Sequence, residues 1–283
     1  MYWLCVLAKN FPHHQDVPKH VRAAAPGPAT TLGAALNDLS AKGAIVTGSS
    51  RGIGAEVAKV LAAQGAGVVI NYRQKAPRAN KIVASIVEAG GRAVAVGSDL
   101  TAPEGPTALV DAAIENFGSL DVLVLNASGG MESGLGEDYA LRLNRDAQVA
   151  MLQAATAKMA PGSRVVFVTS HQAHFIDQVE TMDAYEPVAR SKRAGELALR
   201  EFIPGLEAKG ITFVVVSGDM IEGTITATLL DRAEPGAIEA RRAAAGKLYS
   251  VVEFGAEVAA MVTADVATGH TEYVGGAGDF RTK

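Results

Sequence analysis

The chain has 283 residues, 48% of them apolar but only 5% aromatic, with a formal charge of -4 and a single cysteine, Cys5. That length suits one α/β domain of roughly 250 residues with a tail, and the aliphatic bias suits helices packed on a buried parallel sheet. The mildly negative charge argues against a nucleic-acid surface, which is basic; one cysteine forms no internal disulfide or redox pair, and a cytoplasmic location is the simplest expectation.

Residues 1–38 differ in character from the rest of the chain. The apolar run MYWLCVLA is too short to span a bilayer and lacks the basic leader and small-residue cleavage site of a secretory signal. Pro, Ala and Gly then succeed one another with little periodicity, so residues 1–38 read as a disordered or loosely docked extension and 39–283 as the domain. His13 and His14 lie in this tail without a carboxylate or thiol at ligand spacing, and no metal is expected.

From Ala41 onward short β-rich runs alternate with amphipathic stretches. Ala44–Gly48 reads as a buried strand, and Ile53, Val57, Val60 and Leu61 repeat at helical spacing until Gly65. Gly67–Tyr72 is a second strand, followed by a helix marked by Ile82, Val83, Ile86 and Val87. Ala93–Ser98 is a third strand, with a helix lined by Leu109, Val110, Ala113, Ile114 and Phe117. Asp121–Asn126, Arg164–Ser170 and Ile211–Gly218 come next as strands, separated by long helical stretches at about Tyr139–Met159 and Pro187–Lys209; Thr271–Gly275 is a seventh. Strict alternation implies right-handed crossovers. The fold class is α/β: one domain with a Rossmann-type, doubly wound parallel sheet of about seven strands, and a binding crevice at the strands' carboxyl ends.

The first strong motif falls at that crevice. GAIVTGSSRGIG, Gly43 to Gly54, leads a strand into Gly48 and places Gly52 and Gly54 at the mouth of the first helix. Glycines there allow close backbone approach to a pyrophosphate, and the helix N-terminus offers free amides with a favourable dipole. The flanking strand and helix make the pattern much stronger than glycines alone.

TGSSRGIG, together with Asp99-Leu100, DVLVLNASG at Asp121–Gly129, Asn144 in the next helix and a strand ending at Thr169-Ser170, resembles the short-chain dehydrogenase/reductase superfamily from about Leu39 to the C-terminus. The resemblance implies a nicotinamide dinucleotide. Gly48, Ser50, Gly52, Ile53 and Gly54 would line the diphosphate, Asp99 and Leu100 would reach the adenine, and Asn126 and Ala127 would lie under the ribose. It also implies a small-molecule carbonyl or alcohol substrate, no membrane or nucleic-acid partner, and a homodimer or homotetramer.

Charge decides which cofactor. An acid ending the second strand would bind the NAD ribose and repel a 2'-phosphate. Here Asn71, Tyr72 and Arg73 stand at that position, with Arg51 in the glycine loop. Two guanidinium groups match phosphate oxygens, so NADP is favoured over NAD.

The implied chemistry is hydride transfer: a serine holds the carbonyl oxygen, a tyrosine gives the proton, a lysine assists, and an asparagine supports a water relay. A free phenol has a pKa near 10, so a nearby ammonium must favour the phenolate. Ser170, Asn144 and Lys192 fit these roles, but the position four before Lys192 is Val188, which carries no proton to give. Tyr185, seven before the lysine and fifteen after Ser170, is the candidate replacement. Pro187 favours a helix start there, which would leave Tyr185 on the incoming loop. His171 and His174 are alternative acids.

Past the sixth strand the superfamily places a Pro-Gly pair, whereas this chain reads SGDMIEGTIT; Ile221 and Thr224 are the nearest candidates for contact with the nicotinamide. Thr226–Gly246 reads as a mobile helical flap, and GGMESG, Gly129–Gly134, as a pocket edge. An NADP-dependent reductase of a ketone or 3-oxoacyl compound is the favoured function. A dehydratase or epimerase on the same frame, or a non-catalytic NADP sensor, is the alternative.

Overall fold

The computed structural model describes residues 38–131, 136 and 138–281. The N-terminal extension and part of GGMESG lie outside these residues. Seven strands, β1 (Gly43–Val46), β2 (Gly67–Tyr72), β3 (Arg92–Gly97), β4 (Val122–Leu125), β5 (Arg164–Ser170), β6 (Thr212–Gly218) and β7 (Thr271–Val274), form one sheet in the order β3-β2-β1-β4-β5-β6-β7. Every pairing is parallel. The chain builds outward from β1 to β3, then returns to the other side of β1 and continues to β7. The resulting switch point, between β1 and β4, opens a crevice at the strands' carboxyl ends.

Period-two alternation divides the strand side chains between two cores. Ala44 and Val46 point into one with Leu61, Ile70, Val214 and Phe254. Ile45 points into the other with Leu109, Leu123, Met151 and Phe213. Phe213 and Phe254 are both fully buried on opposite faces, and each such side chain contributes about 1.5–3 kcal/mol relative to exposure. The helices α1 (Gly52–Ala63), α2 (Ala76–Glu88) and α3 (Gly105–Phe117) follow the first three strands, as the periodicity predicts.

Later helices depart from the sequence expectation. The stretch expected as one helix from Tyr139 to Met159 is α4 (Tyr139–Leu141), a π-helical turn (Arg142–Asp146) and α5 (Ala147–Thr156). π-Turns inside helices mark functional sites, and this one carries Asn144. A four-residue helix, α6 (His171–His174), follows β5 directly, capped by Ser170. The expected helix from Pro187 to Lys209 is two, α7 (Glu186–Arg200) and α8 (Ile203–Ala208), because Pro204 starts a new helix. The Thr226–Gly246 segment is a helix pair, α9 (Ile225–Ala233) and α10 (Ala237–Ala245). Two further helices, α11 (Val251–Ala260) and α12 (Gly278–Arg281), were not expected from the periodicity. Among the described residues no helix is long and apolar enough to cross a membrane.

Candidate active site

A crevice of about 580 Å³ runs across the carboxyl ends of the strands, and the residues expected first for catalysis and cofactor binding line it except Asn144, whereas Gly129–Met131, expected at its edge, do not. Gly48, Ser50, Arg51, Gly52, Ile53 and Gly54 form its floor at the N-terminus of α1. Gly52 has φ 57°, and a side chain there would meet open space, so the turn bares its backbone to a ligand. At Gly54 a Cβ would lie 2.5 Å from Asn126 Nδ2 and 2.9 Å from the Gly48 carbonyl. The loop and the start of α1 therefore close on β4 with no room for a methyl group.

Side-chain hydrogen bonds fix this loop to its neighbours. Thr47 Oγ1 accepts from Asn126 N at 2.9 Å and Ala127 N at 3.0 Å, and Asn126 Nδ2 donates to the Thr47 carbonyl at 2.9 Å. Asn71 Oδ1 accepts from Gly48 N at 3.0 Å, while its Nδ2 donates to the Ser98 carbonyl. Asn71, expected at the cofactor, lines the crevice, and its amide joins the glycine loop to the end of β3. Asp99 likewise accepts from Thr101 through Oδ1.

At the end of β2 the crevice is cationic. Arg51, Arg73, Lys75 and Arg78 line it together, with Tyr72 and Leu100 beside them. Arg73 lies over the Tyr139 ring, 5.4 Å from its centroid, and donates to the Tyr139 hydroxyl. No local motif distinguishes Tyr139, whose partner is 66 residues away.

At the other end, Ser170 and Tyr185 meet. Tyr185 is the residue before α7, 4% exposed, and its hydroxyl lies 3.1 Å from Ser170 Oγ. Ser170 Oγ also accepts from Ala173 N, which caps α6 and orients the hydroxyl. Val188, one helical turn before Lys192, is buried in an apolar cluster with Met220 and Leu230. Lys192 lines the crevice, and its ammonium makes no hydrogen bond or ion pair with the described residues. Ile221 and Thr224 line it too; the Thr224 hydroxyl donates to the Ile221 carbonyl and accepts from Ala227 N, capping α9.

Asn144 is the exception among the residues expected first for catalysis and cofactor binding. Buried behind the crevice, it donates from Nδ2 to the Gly129 carbonyl and to Ser191 Oγ, both at 2.9 Å, and accepts from Gly129 N. Its amide therefore joins the loop after β4 to α7, one residue before Lys192. Gln148 acts alongside, donating to the Ala127 carbonyl at 2.8 Å; nothing in its local sequence distinguishes it.

The alternative acids are corrected by the geometry. His171 is fully buried, with Nδ1 2.8 Å from Ser217 Oγ and Nε2 2.8 Å from the Gly275 carbonyl. A carbonyl only accepts, so Nε2 carries the proton and Nδ1 accepts from Ser217. Burial holds its pKa below the usual range, with the Gly275 carbonyl acting in the opposite direction. His174 bridges Glu196 and the Tyr273 hydroxyl, each at 2.9 Å. Burial would raise the Glu196 pKa, but His174 and Arg200 together hold it lowered. Neither imidazole lines the crevice.

The crevice fits a dinucleotide: bared backbone at Gly52, a helix N-terminus, cations at one end and hydroxyls at the other. Comparison with known proteins agrees. A short chain dehydrogenase from Burkholderia cenocepacia, crystallised in complex with NADP, superposes with a TM-score of 0.72 at 31% identity, covering 85% of this chain and 98% of that one. The angucycline C-6 ketoreductase LanV with bound NADP gives 0.71 at 28% identity, covering 85% and 97%. The short chain dehydrogenase/reductase AacuN of Aspergillus aculeatus is 32% identical over 69% of this chain and 74% of its own length. Versicolorin reductase 1 of Dothistroma septosporum is 34% identical over 48% of this chain and 54% of its own. The chain thus spans little more than half the length of several curated relatives it matches. The family model for short chain dehydrogenases matches residues 42–234, and the chain belongs to the short-chain dehydrogenase/reductase superfamily.

Proposed function

We propose that this protein is an NADPH-dependent reductase of a ketone or 3-oxoacyl compound, with Tyr185 as the proton donor. The observation that carries the reading is the 3.1 Å contact between Ser170 Oγ and Tyr185 OH inside the crevice. Two hydroxyls at that separation hold one carbonyl oxygen between them. When bound, the nicotinamide supplies the hydride that reaches the carbonyl carbon. Ser170 steadies the oxygen as negative charge develops, and Tyr185 gives it a proton. Lys192 holds the cofactor ribose and offers its positive charge to the phenolate left behind.

Asn144 is assigned a positioning role. Its amide sets α7, and with it Lys192, against the loop after β4. Preference for NADP over NAD is supported by Arg51, Arg73, Lys75 and Arg78 around one end of the crevice, since guanidinium groups match a 2'-phosphate. The NADP complexes among the structural neighbours support the same choice. On the substrate side, Met220, Ala227 and Leu230 present an apolar wall, which suits a neutral ketone. Relatives named for reductions, versicolorin reductase and the 1-cyclohexenylcarbonyl-CoA reductase of Streptomyces collinus, 33% identical over 63% of this chain and 64% of its own, favour that direction.

The test is NADPH oxidation across a panel of ketones and 3-oxoacyl thioesters, with Tyr185→Phe beside the unmodified chain. Turnover that disappears in Tyr185→Phe while NADPH still binds is the expected result. Undiminished turnover in that variant overturns the assignment of Tyr185. NADPH binding without turnover on any substrate in the panel instead favours a sensor.

A further inference from the structure

The helix pair α9–α10 borders the crevice through Ile225, Thr226, Ala227 and Leu230, yet α10 has no fully buried residue, and its apolar contact is the partial packing of Ile238 and Ala245. A nine-residue helix of mostly small side chains does not hold itself in place in water. We propose that Asp219 and Arg241 are positioning residues: their ion pair latches α10, and with it the α9–α10 flap, over the nicotinamide half of the crevice, adding to the apolar anchor that Ala227 and Leu230 give α9.

Asp219 directly follows β6 and lines the crevice, and its side chain is only 2% exposed. Its carboxylate accepts Arg241 Nε at 2.8 and 3.0 Å and Nη2 at 2.8 Å, and also the Met220 amide at 2.7 Å. The same guanidinium donates to the Gly276 carbonyl at 3.1 Å and to Asp279 at 2.9 Å, and lies 4.9 Å from the Phe280 ring centroid. Three segments distant in sequence therefore meet on one side chain: the exit of β6, α10 and the turn into α12. The turn comes so close that a Cβ at Gly276 would sit 2.1 Å from Asp219 Oδ2.

A second pair points the same way. Arg242 donates to Glu222, on the segment joining β6 to α9. The flap thus leaves β6 at residues 219–224, forms two helices, and is tied back by the second helix to its own base. Burial opposes the charge on Arg241, but Asp219 and Asp279 more than compensate, and its pKa is raised. Such a planar fork holds geometry as well as charge. A flap latched by the protein itself does not have to be ordered by the ligand, so the latch lowers the ligand concentration needed without entering the chemical step.

This inference rests on the crevice being the cofactor and ketone site, and the experiment separates the two. Hydrogen exchange and steady-state kinetics are measured on the full chain, unmodified and as Arg241→Met and Arg241→Lys. In Arg241→Met, the 225–245 amides exchange about tenfold or more faster while β1 to β5 stay protected, and KM for the ketone rises about tenfold with kcat within about threefold. Arg241→Lys falls between, because an ammonium keeps the charge and loses the fork. Unchanged exchange at 225–245 overturns the proposal, as does acceleration spread evenly over the domain. If Arg241→Met does not fold, Arg241→Lys decides by the same readouts. Should the unmodified chain turn over no ketone, the proposed function fails, while the exchange data still judge the latch.

Discussion

The two ends of the crevice are held together in different ways. Around the glycine loop each side-chain hydrogen bond has a backbone group as its partner: Asn71 Oδ1 accepts from Gly48 N, and Thr47 Oγ1 accepts from Asn126 N and Ala127 N. At the Ser170 end they are side chain to side chain: Ser170 with Tyr185, Asn144 with Ser191, Asp219 with Arg241. The first kind of site tolerates little change, because a backbone has one shape. The second kind tolerates relocation, because a hydroxyl can reach the same point from a neighbouring turn. In the function proposed above, Tyr185 is such a relocation, one turn ahead of the position that Val188 fills.

The largest expected effect tests that relocation. Tyr185→Phe removes one oxygen and keeps the ring in its apolar cluster, so the fold is retained while turnover falls by about 10²–10⁴-fold, the usual share of a general acid. Stopped-flow NADPH oxidation with a competent ketone measures it. A drop of less than about threefold would mean that the hydroxyl beside Ser170 is not the donor, and relocation would no longer describe this end of the site.

Rigidity at the other end is tested by Gly54→Ala. The added methyl meets Asn126 Nδ2 and the Gly48 carbonyl inside contact distance, and Asn126 is not free to yield because it donates to Thr47. The loop must shift, at a cost of about 1–3 kcal/mol. NADPH affinity, read by fluorescence titration, should fall by about ten- to a hundredfold with no change in kcat at saturation. Equal affinity would show that the loop yields more readily than its contacts imply.

This contrast also explains what the sequence discloses. A strand, the loop glycines Gly48, Gly52 and Gly54, and the start of a helix are contiguous within Gly43–Gly54, so both the loop and its ligand class are legible, as is the succession of seven strands along the chain. The break at Pro204 is equally local, although the periodicity runs through it and suggests one helix. Ser250-Val-Val-Glu253, a capping box that starts α11, is a local signal too. The engagement of Arg73 by Tyr139, of Ala127 by Gln148 and of Asp219 by Arg241 is not legible, since each joins residues 21 to 66 positions apart with no motif between them. Tyr185 lies between these cases. Its presence is visible, and Pro187 hints at where the helix starts, but only the folded backbone brings its hydroxyl to Ser170.

A smaller effect concerns cofactor choice. Arg51→Ala removes a guanidinium from the cationic end, where no carboxylate stands at the end of β2. A charge-assisted hydrogen bond to phosphate is worth about 1.5–3 kcal/mol. The ratio of kcat/KM for NADPH over NADH should therefore drop about tenfold or more, with NADH values nearly unchanged. Arg73→Ala should drop less, because Arg73 also engages Tyr139. Equal losses with both cofactors would assign Arg51 to the shared diphosphate.

The smallest expected effect separates the crevice from the buried histidine behind it. His171 is held neutral by burial, its pKa below the 6.5 of a free imidazole. Between the folded value and 6.5 the unfolded chain binds the extra proton, so acid favours unfolding. The contribution is whole above pH 6.5 and declines as pH falls through that window, by at most about 1.4 kcal/mol per pH unit. Glu196, lowered from 4.5, extends the decline below pH 4.5 with the same sign. Thermal unfolding of the unmodified chain and of His171→Gln from pH 8 to pH 5 measures this. The variant should be less stable at pH 8, because an amide replaces the two ring bonds imperfectly, yet it should lose less stability on acidification. Its kcat at pH 8 should stay within about threefold, since no atom of His171 reaches the crevice. Parallel pH slopes would assign the acid sensitivity to other groups, and a collapse of kcat with stability intact would return His171 to the chemistry from which its hydrogen bonds separate it.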